Sequence, residues 1–482
     1  MPEFYLGIDQ GTQSSRAILF NQHGEIEASA QVAVSLVRDG DHCEQDGNEI
    51  LDSLSTVIAS VIEQIGDDPA VCGGIKAAGL ATQRSSVIAW DGETGQPLSP
   101  LLSWSDRRGE EFIASIREQE PLIRSRTGLP LTAYYGGSKI RWLLTQSEAV
   151  RRARQQQRLR IGPLASFLLF NLLRDAPYVV DHANALRTQL FNLHHLRWDD
   201  ELLDLYSVPR HLLPEARPTH ADYGRLKLGN IPIVAVNGDQ TAALLTAHPG
   251  GENGALVNVG SGAFILQSTG KRLLHSGNLL TGLFRSSSEH TEYLLEGTVN
   301  GAGAALQWLN QQMPGGEGID LDHALEKPFS DTIFINGIGG LGSPFWKTIN
   351  SGFWSIGREC MINDLNTIDD NLQGLVAESI LFLIQANIDA MLELGRELHQ
   401  LTITGGAARY DGFCQRLADL SGLEVERPQI VEATARGIAS EAAGESAQWI
   451  NGNKDRYHPR KNDALILRYH YFIQLINQGS EV

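Results

Sequence analysis

The hydrophobic pattern at the start of the chain predicts a β-meander. FYLGID has the apolar content of a buried strand, RAILFN of a second and IEASAQVAV of a third, and QGTQSS and QHGE between them have turn composition. Apolar residues then recur at helical spacing from Ile50 to Ile65, and IKAAGLATQ returns to a strand pattern. This mixture of strands and helices indicates an α/β fold.

The second half of the chain repeats the opening pattern. ALVNVGSGAFILQ is again an apolar strand, a turn of glycine and hydroxyl residues, and an apolar strand. IPIVAVNGDQTAALL, TEYLLEGTVNGAGAALQWL and LTITGGAARYDGF each pass from a strand into a helix, LVAESILFLIQANIDAMLEL predicts a long helix, and residues 111–173 look mostly helical. We place a domain boundary in the glycine-rich HPGGENG, which gives two similar halves, 1–247 and 248–482, facing a shared cleft.

Composition limits the possible partners. The chain has 482 residues, 42% of them hydrophobic, and a formal net charge of −18. An acidic protein is a poor general binder of nucleic acid or of an anionic membrane, so any phosphate site must be local. The four cysteines form no CxxC pair, the N-terminus lacks the pattern of a signal peptide, and no uninterrupted apolar run looks long enough to span a membrane. We therefore expect a soluble cytoplasmic protein.

The first turn carries residues suited to phosphate. A glycine turn lets consecutive backbone N–H groups approach an anion, and the hydroxyls of Thr12, Ser14 and Ser15 add donors. Asp9 at the end of the strand is placed to hold Mg²⁺, and Arg16 to neutralise charge on a transferred phosphoryl group. An ordinary β-turn built from small residues explains the same pattern equally well.

Other strand ends carry glycine turns and one acid. The turns Gly260–Gly262 and Gly405–Ala407 would each be ordinary loops if taken singly, but three glycine turns at strand ends together indicate a nucleotide. Asp239, after a strand and near the start of a helix, is placed to accept a proton from a substrate hydroxyl. Capping that helix is the alternative role.

Three further side chains are candidates for a polar pocket. Arg84 follows a strand and offers several donors to substrate hydroxyls, and Trp104 and Tyr134 are able to wall such a pocket. A surface ion pair for the arginine and core packing for the aromatic residues are the ordinary alternatives.

The motifs taken together resemble the FGGY carbohydrate kinases, and within them the glycerol kinase branch. The similarity runs nearly end to end, through GIDQGTQSSRA, YGGSKIRWLL, DHANALRTQLFN, NGDQTAAL, GSGAF, LEGTVNGAGAALQWL, GLGSPFWK, TITGGA and ERPQIVEATARGIA. The resemblance implies an α/β fold of two duplicated actin-like ATPase (ribonuclease H-like) domains around a central cleft. It implies transfer of the γ-phosphoryl group of ATP to a hydroxyl of a small polyol, with ADP as the second product.

The same resemblance assigns roles to individual residues. It implies that Asp239 is the catalytic base and that Asp9 helps to place Mg²⁺. It implies that the ATP phosphates are faced by Thr12, Gln13, Ser14 and Arg16, and that the nucleotide is held from the second domain by Ser261, Gly303, Gln307 and Gly406. It implies that the polyol is surrounded by Arg84, Trp104, Tyr134, Asp239, Gln240 and Phe264. Family members are commonly dimers or tetramers, so a homo-oligomer is expected.

Two positions depart from the family pattern. Glycerol kinases carry a glutamate directly after the arginine of the QR pair, and this chain has Ser85. Loss of a hydrogen bond to a charged group, worth about 1.5–3 kcal/mol, would weaken glycerol binding and leave Arg84 without an anionic neighbour in a larger pocket. A C4–C5 polyol or a pentulose is therefore the alternative substrate. Tyr410 stands where the family often has an asparagine near adenine, so it is a further candidate nucleotide contact.

The segment GRLKLGNIPIV lacks the glycine-rich loop through which some glycerol kinases bind fructose 1,6-bisphosphate. We predict that this ligand does not inhibit the protein. A titration of activity against fructose 1,6-bisphosphate checks this, and a dose-dependent loss of activity would contradict it.

Two other classes of function remain open from the sequence. An actin-like ATPase that serves as a binding or assembly module needs the phosphate turns but not a pocket of Arg84, Trp104 and Tyr134 facing Asp239. A catalytically idle homologue kept as a sensor is disfavoured because both Asp9 and Asp239 are present, although Ser85 keeps it open.

Overall fold

The computed structural model describes residues 3–66, 74–247, 253–312, 318–327, 331–356, 360–362, 371–429, 432–444, 449 and 453–478. The strands up to residue 247 are β1 Phe4–Gln10, β2 Ser14–Asn21, β3 Ile26–Ala33, β4 Val37–Asp39, β5 His42–Gln45, β6 Ile75–Thr82, β7 Val87–Asp91, β8 Leu101–Leu102, β9 Leu159–Pro163, β10 Val179–Asp181, β11 Phe191–Asn192, β12 Arg197–Trp198, β13 Glu215–Arg217, β14 His220–Arg225 and β15 Pro232–Gly238. The helices there are α1 Gly47–Gln64, α2 Glu110–Ser115, α3 Glu120–Thr127, α4 Gly136–Gln146, α5 Glu148–Gln155, α6 Leu164–Leu172, α7 His182–Leu186, α8 Asp200–Tyr206 and α9 Asp239–Ala247.

The second half contains its own set of elements. Its strands are β16 Gly254–Val259, β17 Ala263–Gly270, β18 Leu280–Ser286, β19 Thr291–Val299, β20 Thr332–Ile335, β21 Gly352–Ser355, β22 Cys360–Ile362, β23 Gln400–Thr404, β24 Glu424–Pro428 and β25 Lys454–Tyr457. Its helices are α10 Gly303–Gln312, α11 Leu321–Glu326, α12 Leu372–Glu393, α13 Asp411–Ser421, α14 Ala433–Ala443 and α15 Asp463–Gln478.

The two main sheets are built on one plan. The first has the order β14-β15-β6-β1-β2-β3 and the second β18-β19-β17-β16-β23-β24-β25. In each, the opening strand pairs antiparallel with the next (β1 with β2, β16 with β17) and parallel with a later strand on its other side (β6, β23). A further parallel strand follows in both sheets, β15 beside β6 and β24 beside β23. The predicted α/β fold of two duplicated actin-like halves is confirmed.

The predicted boundary falls partly outside the described residues. Residues 248–252 of HPGGENG are among those that the structure does not describe, so the division into 1–247 and 248–482 stays a prediction. The predicted β-meander and amphipathic helix are present as β1–β3 and α1, and Asp46 caps α1 by accepting the N–H of Asn48.

Helix α14 comes from the far end of the chain yet packs on the first sheet. Ala435, Ile438 and Ala439 share one buried apolar cluster with residues of β1, β2, β6 and α9. The approach is close because a Cβ on Gly7 would lie 2.1 Å from the carbonyl oxygen of Ala435. Only glycine in β1 admits the helix backbone at this distance.

Several residues that we predict to surround the polyol are positioned by a second, smaller sheet in the first half. Its strand order is β4-β5-β8-β7-β9. Arg84 and Ser85 lie between β6 and β7, and Trp104 follows β8. The hydrophobic pattern did not reveal this sheet, and β9 lies inside the region 111–173 that we expected to be mostly helical. Its strands are short, so they show little alternation.

Within the described residues, α12 is the one helix long and apolar enough to cross a membrane, with a mean hydropathy of 1.6 over its most apolar window. Its apolar run is interrupted by Glu378, Gln385 and Asn387, so the expectation that no uninterrupted apolar run is long enough to span a membrane is not contradicted. Since 83% of that window is buried inside the protein, where it packs in the core of the second half, α12 has the position of a core helix.

Candidate active site

The phosphate turn between β1 and β2 is held from both sides. Its backbone is closed by the Gly11 N–H, which donates to the Ser14 carbonyl at 3.0 Å, and Gln45 Nε2 donates to the Thr12 carbonyl at 2.9 Å. The Gln13 side chain is exposed. The Ser15 hydroxyl is fully buried and hydrogen-bonds Ser53 of α1 at 2.7 Å, so it has a structural role and is not a phosphate donor.

Asp9 and Arg16 face each other across the β1–β2 ladder. Their Cα atoms are paired, and Arg16 Nη1 lies 3.5 Å from Asp9 Oδ2 and 3.2 Å from Glu432 Oε2. Burial, and then the negative charge of Asp239, raise the pKa of Asp9 to about 7, with Arg16 opposing and Glu432 adding to the rise. Too little positive charge is present here to balance the carboxylates.

This corner fits a magnesium ion. Asp9 Oδ1 is buried and has no hydrogen-bond partner among the described residues. Those residues contain no group of three or more His, Cys, Asp or Glu side chains that could hold a metal alone. Mg²⁺ commonly takes one or two carboxylates and completes its shell with water and phosphate oxygens, which matches a single free carboxylate oxygen beside a phosphate turn.

Asp239 is the first residue of α9, directly after β15. Its Oδ1 accepts the N–H of Gln240 at 2.7 Å and lies 3.7 Å from Arg84 Nε, and its side chain is 22% exposed. Burial raises the pKa of Asp239, and Arg84 opposes that rise. The carboxylate is thus held by two neighbours while one part of it stays open to solvent.

Arg84 belongs to a buried ion triad centred on the carboxylate of Glu296. It donates to Glu296 of β19 through Nη1 at 2.7 Å and through Nη2 at 3.2 Å, and Arg187 donates to the same carboxylate. Burial by itself raises the pKa of Glu296, but Arg187 and Arg84 hold it at about 2. The expectation that Ser85 leaves Arg84 without an anionic neighbour is therefore wrong, because Glu296 reaches the arginine from the other half of the chain.

An aromatic wall stands beside this triad. The rings of Trp104 and Tyr134 lie 5.4 Å apart, and the Arg84 guanidinium lies 5.7 Å from the ring centre of Phe264. Trp104 Nε1 donates to Thr12 Oγ1 at 2.9 Å. The wall thus joins the pocket beside Asp239 to the phosphate turn.

Ser85 is 3% exposed, and its hydroxyl has no hydrogen-bond partner among the residues that the structure describes. Its φ of 64° is left-handed, a conformation that costs a non-glycine residue about 1–3 kcal/mol and is typical of functional sites. A buried hydroxyl without a partner is uncommon in folded proteins, and this one lies directly after Arg84 in the chain.

The second half supplies two glycine turns at the ends of its strands. Gly303, the first residue of α10, donates its N–H to the Gly260 carbonyl at 2.9 Å, and the exposed Ser261 lies in the same turn. Gly406 is exposed in a single 3₁₀ turn after β23. Exposed glycine backbone at strand ends suits the approach of a nucleotide.

Gln307 and Tyr410 are the remaining predicted nucleotide contacts. Gln307 is exposed on α10. Tyr410 is half-buried, and its hydroxyl donates to the Ile319 carbonyl at 2.8 Å, so only its ring is left for adenine. Gln240, which the resemblance places beside the polyol, accepts a hydrogen bond from Asn258 Nδ2 at 2.8 Å, and this bond links α9 to β16.

The structure adds site residues that we did not single out. The predicted residues form three contacting groups, which are Asp9 with Arg16, Arg84 with Asp239 and Phe264, and Trp104 with Thr12 and Tyr134. Charge interactions between Asp9 and Asp239, and between Arg84 and Tyr134, relate these groups to one another. Glu296, Arg187 and Glu432 join them. Glu296 carried a usable signal, since a charge inside the apolar run YLLEGTV must be buried and so requires a partner.

Comparisons with known proteins agree with this architecture. Residues 4–246 match the N-terminal domain of the FGGY family of carbohydrate kinases, and residues 255–444 match its C-terminal domain. A glycerol kinase from Bacillus anthracis strain A0248 is 33% identical over 478 residues, which cover 96% of this chain and 94% of the relative.

Solved structures share the fold. The structure of Plasmodium falciparum glycerol kinase with ADP has a TM-score of 0.88 at 24% identity and covers 100% of this chain and 98% of its own. The xylulose kinase of Rhodospirillum rubrum has a TM-score of 0.84 at 19% identity and covers 99% of both chains.

Two duplicated α/β halves with glycine turns at their strand ends form the two-domain fold that these kinase structures share. The chain belongs to the FGGY family of carbohydrate kinases. It is therefore a kinase that transfers a phosphoryl group to an alcohol.

Proposed function

We propose that the protein is a Mg²⁺- and ATP-dependent kinase of a small polyol, with glycerol as the first candidate. The observation that carries this proposal is the contact of Asp239 with Arg84 at 3.7 Å, beside the wall of Trp104 and Tyr134. A phosphate turn alone would serve any ATPase. A carboxylate facing a guanidinium and two aromatic rings suits an uncharged polyhydroxy substrate, because it offers both acceptors and donors to hydroxyl groups.

Asp239 acts as the general base in this proposal. Its carboxylate accepts the proton of the attacking hydroxyl while the Gln240 N–H and Arg84 keep it oriented. Arg84 also offers donors to neighbouring hydroxyls of the substrate, and its own position is fixed by Glu296.

The phosphates of ATP lie against the turn of Gly11, Thr12 and Gln13 in this proposal. Arg16, held between Asp9 and Glu432, is placed to meet negative charge on the transferred group. Asp9 would hold Mg²⁺ through its free Oδ1, and the ion would supply neutralisation of the phosphate oxygens.

A longer polyol or a pentulose is the second candidate substrate. Ser85 favours it, since its buried hydroxyl is unpaired and is shorter than the glutamate of the glycerol kinases. Glycerol remains first because Glu296 preserves the charge balance of the pocket that the serine seemed to remove.

The test is a coupled assay of ADP release with Mg-ATP over glycerol, erythritol, xylitol, ribitol, arabitol, xylulose, ribulose and gluconate. Turnover highest with glycerol supports the first candidate, and turnover highest with a C4–C5 compound supports the second. Release of ADP no faster than without substrate, for all eight compounds, would overturn the kinase proposal.

Replacing Ser85 with glutamate tests whether the residue at this position determines the preference between glycerol and longer polyols. We expect Ser85→Glu to lower the KM for glycerol about tenfold or more, because a hydrogen bond to a charged group is worth about 1.5–3 kcal/mol. The same change should raise the KM for C4–C5 polyols by filling space. Steady-state kinetics with both classes of polyol measure the effect.

The matched control is Ser85→Gln, which adds nearly the same volume without charge. An equal gain in both variants would assign the effect to volume. No gain for glycerol in Ser85→Glu, with the melting temperature retained, would contradict the prediction.

A further inference from the structure

A lysine that the proposed mechanism does not use lies directly behind the polyol pocket. Lys139 of α4 is 0% exposed. Its ammonium donates to the backbone carbonyls of Ser85 at 3.4 Å and Trp104 at 3.3 Å, and also to that of Tyr134. Among the described residues its ammonium forms no ion pair, and the carboxylate that acts on it through its charge is that of Asp106, which is itself paired with Arg108.

These three carbonyls belong to three separate segments of the pocket. Ser85 follows β6, Trp104 follows β8, and Tyr134 precedes α4. The residues lie outside strands and helices, so no ladder fixes their relative positions. An ammonium has three donors, one for each carbonyl.

Filling volume behind the pocket would not by itself require a lysine. Lysine is almost never fully buried unless it is paired, since removing its charge from water is costly. An aliphatic side chain would fill the same volume without that cost. The charge is explained if its three hydrogen bonds fix the backbone at Ser85, Trp104 and Tyr134, which packing alone does not fix.

The backbone at Ser85 needs such a restraint. Its φ of 64° is disfavoured for serine, and a strained backbone persists only where its surroundings over-determine it. The Lys139 ammonium binds the carbonyl of this very residue, one peptide from Arg84.

We propose that Lys139 is a positioning residue of the polyol site, which sets the relative placement of the Arg84–Ser85, Trp104 and Tyr134 segments through their carbonyls. This inference rests on the proposed polyol kinase function. It assigns no contact between Lys139 and the substrate.

The protonation of Lys139 gives the inference a pH signature. Burial lowers the pKa of Lys139 to about 7, the carboxylate of Asp106 and the thiol of Cys43 oppose that change, and Arg107 and Arg108 add to it. Below this pH the ammonium donates to all three carbonyls. Above it the neutral amine turns a lone pair toward one of them, so the polyol KM is expected to rise as the pH rises through about 7.

The experiment compares Lys139→Met with wild type on the best polyol of the substrate scan. We expect the polyol KM to rise about tenfold, in the range for loss of hydrogen bonds to a charged group, and the KM for Mg-ATP to change less than about twofold. The rise of the polyol KM between about pH 6 and about pH 8 should disappear in the variant. Leu143→Ala, which also removes a buried side chain of α4, is the control for general loss of stability.

The outcomes are separable. An unchanged polyol KM in Lys139→Met, or equal changes in both KM values that Leu143→Ala reproduces at a similar melting temperature, would overturn the inference. If Lys139→Met does not fold, a wild-type polyol KM that stays flat across this pH range overturns it. A wild type inactive on every polyol refutes the proposed function instead.

Discussion

Replacing Asp239 with asparagine is expected to lower kcat for polyol phosphorylation about 10²- to 10⁴-fold, the usual contribution of a positioned general base. Asparagine keeps the size of the side chain and an acceptor for the Gln240 N–H, but it cannot take the proton of the attacking hydroxyl. The KM for ATP should change little, because Asp239 lies on the polyol side of the phosphate turn. Single-turnover measurement of phosphorylated product gives the rate of the chemical step.

Asp199→Asn is the matched control, because Asp199 is a nearly buried aspartate that caps a helix away from the site by accepting the N–H groups of Glu201 and Leu202. It should lower stability and leave kcat near that of wild type. Should Asp239→Asn behave like this control, Asp239 would be a cap and not the base.

The pH profile offers a second test of the same residue. Since burial raises the pKa of Asp239 above its ordinary value, kcat should fall at acidic pH as the carboxylate becomes protonated. The part of the acidic limb that belongs to Asp239 should vanish in Asp239→Asn, and the part that belongs to Asp9, whose pKa is about 7, should remain.

The second large effect is expected for Glu296→Gln. This change leaves the buried guanidinium groups of Arg84 and Arg187 without their shared carboxylate. Removing one partner of a buried ion pair commonly costs about 3–5 kcal/mol, so the free energy of unfolding should fall by about that amount. The polyol KM should rise as well, because Arg84 loses the group that orients it. Denaturant unfolding and steady-state kinetics measure the two effects.

The chain contains its own control for this variant. Glu378 of α12 is a buried carboxylate held between Arg416 and Arg468, remote from Asp239 in the core of the second half. Glu378→Gln should lower stability to a similar extent and leave the polyol KM unchanged. A rise of the polyol KM in both variants would show that stability alone controls the kinetics.

The stability supplied by Glu296 should depend on pH in a known direction. Its pKa in the folded protein is held at about 2, below the ordinary value of 4.5. A carboxyl group with a lowered pKa contributes its stability above the unfolded value and loses it as the pH falls toward the folded one. The difference between wild type and Glu296→Gln should therefore shrink between about pH 4.5 and about pH 2.

The sequence pattern was sufficient to predict those parts of the site that are formed by residues adjacent in the chain. The strand, turn and strand around Asp9 and the strand-to-helix step at Asp239 follow from neighbouring residues alone, and the structure has them as predicted. The duplication of the fold was predictable for the same reason, because the segment around GSGAF repeats the strand, glycine turn and strand of the opening segment.

Contacts between residues far apart in the sequence could not be predicted from the local pattern. Glu296 is 212 residues from Arg84 and 109 from Arg187, and no periodicity reports a pairing over such a separation. The substitution at Ser85 therefore suggested a missing charge that the fold supplies from elsewhere. Lys139 was equally hidden, because its partners are backbone carbonyls, which every residue has.

The position of α14 has a consequence for synthesis on the ribosome. The first sheet can emerge complete, but the apolar face around Gly7 and Ile18 is covered by Ala435, Ile438 and Ala439, which are made more than 400 residues later. The amino-terminal half therefore cannot finish its core as an independent unit during translation. That face stays uncovered until α14 has been synthesised, so a late segment of the chain completes the core of an early one.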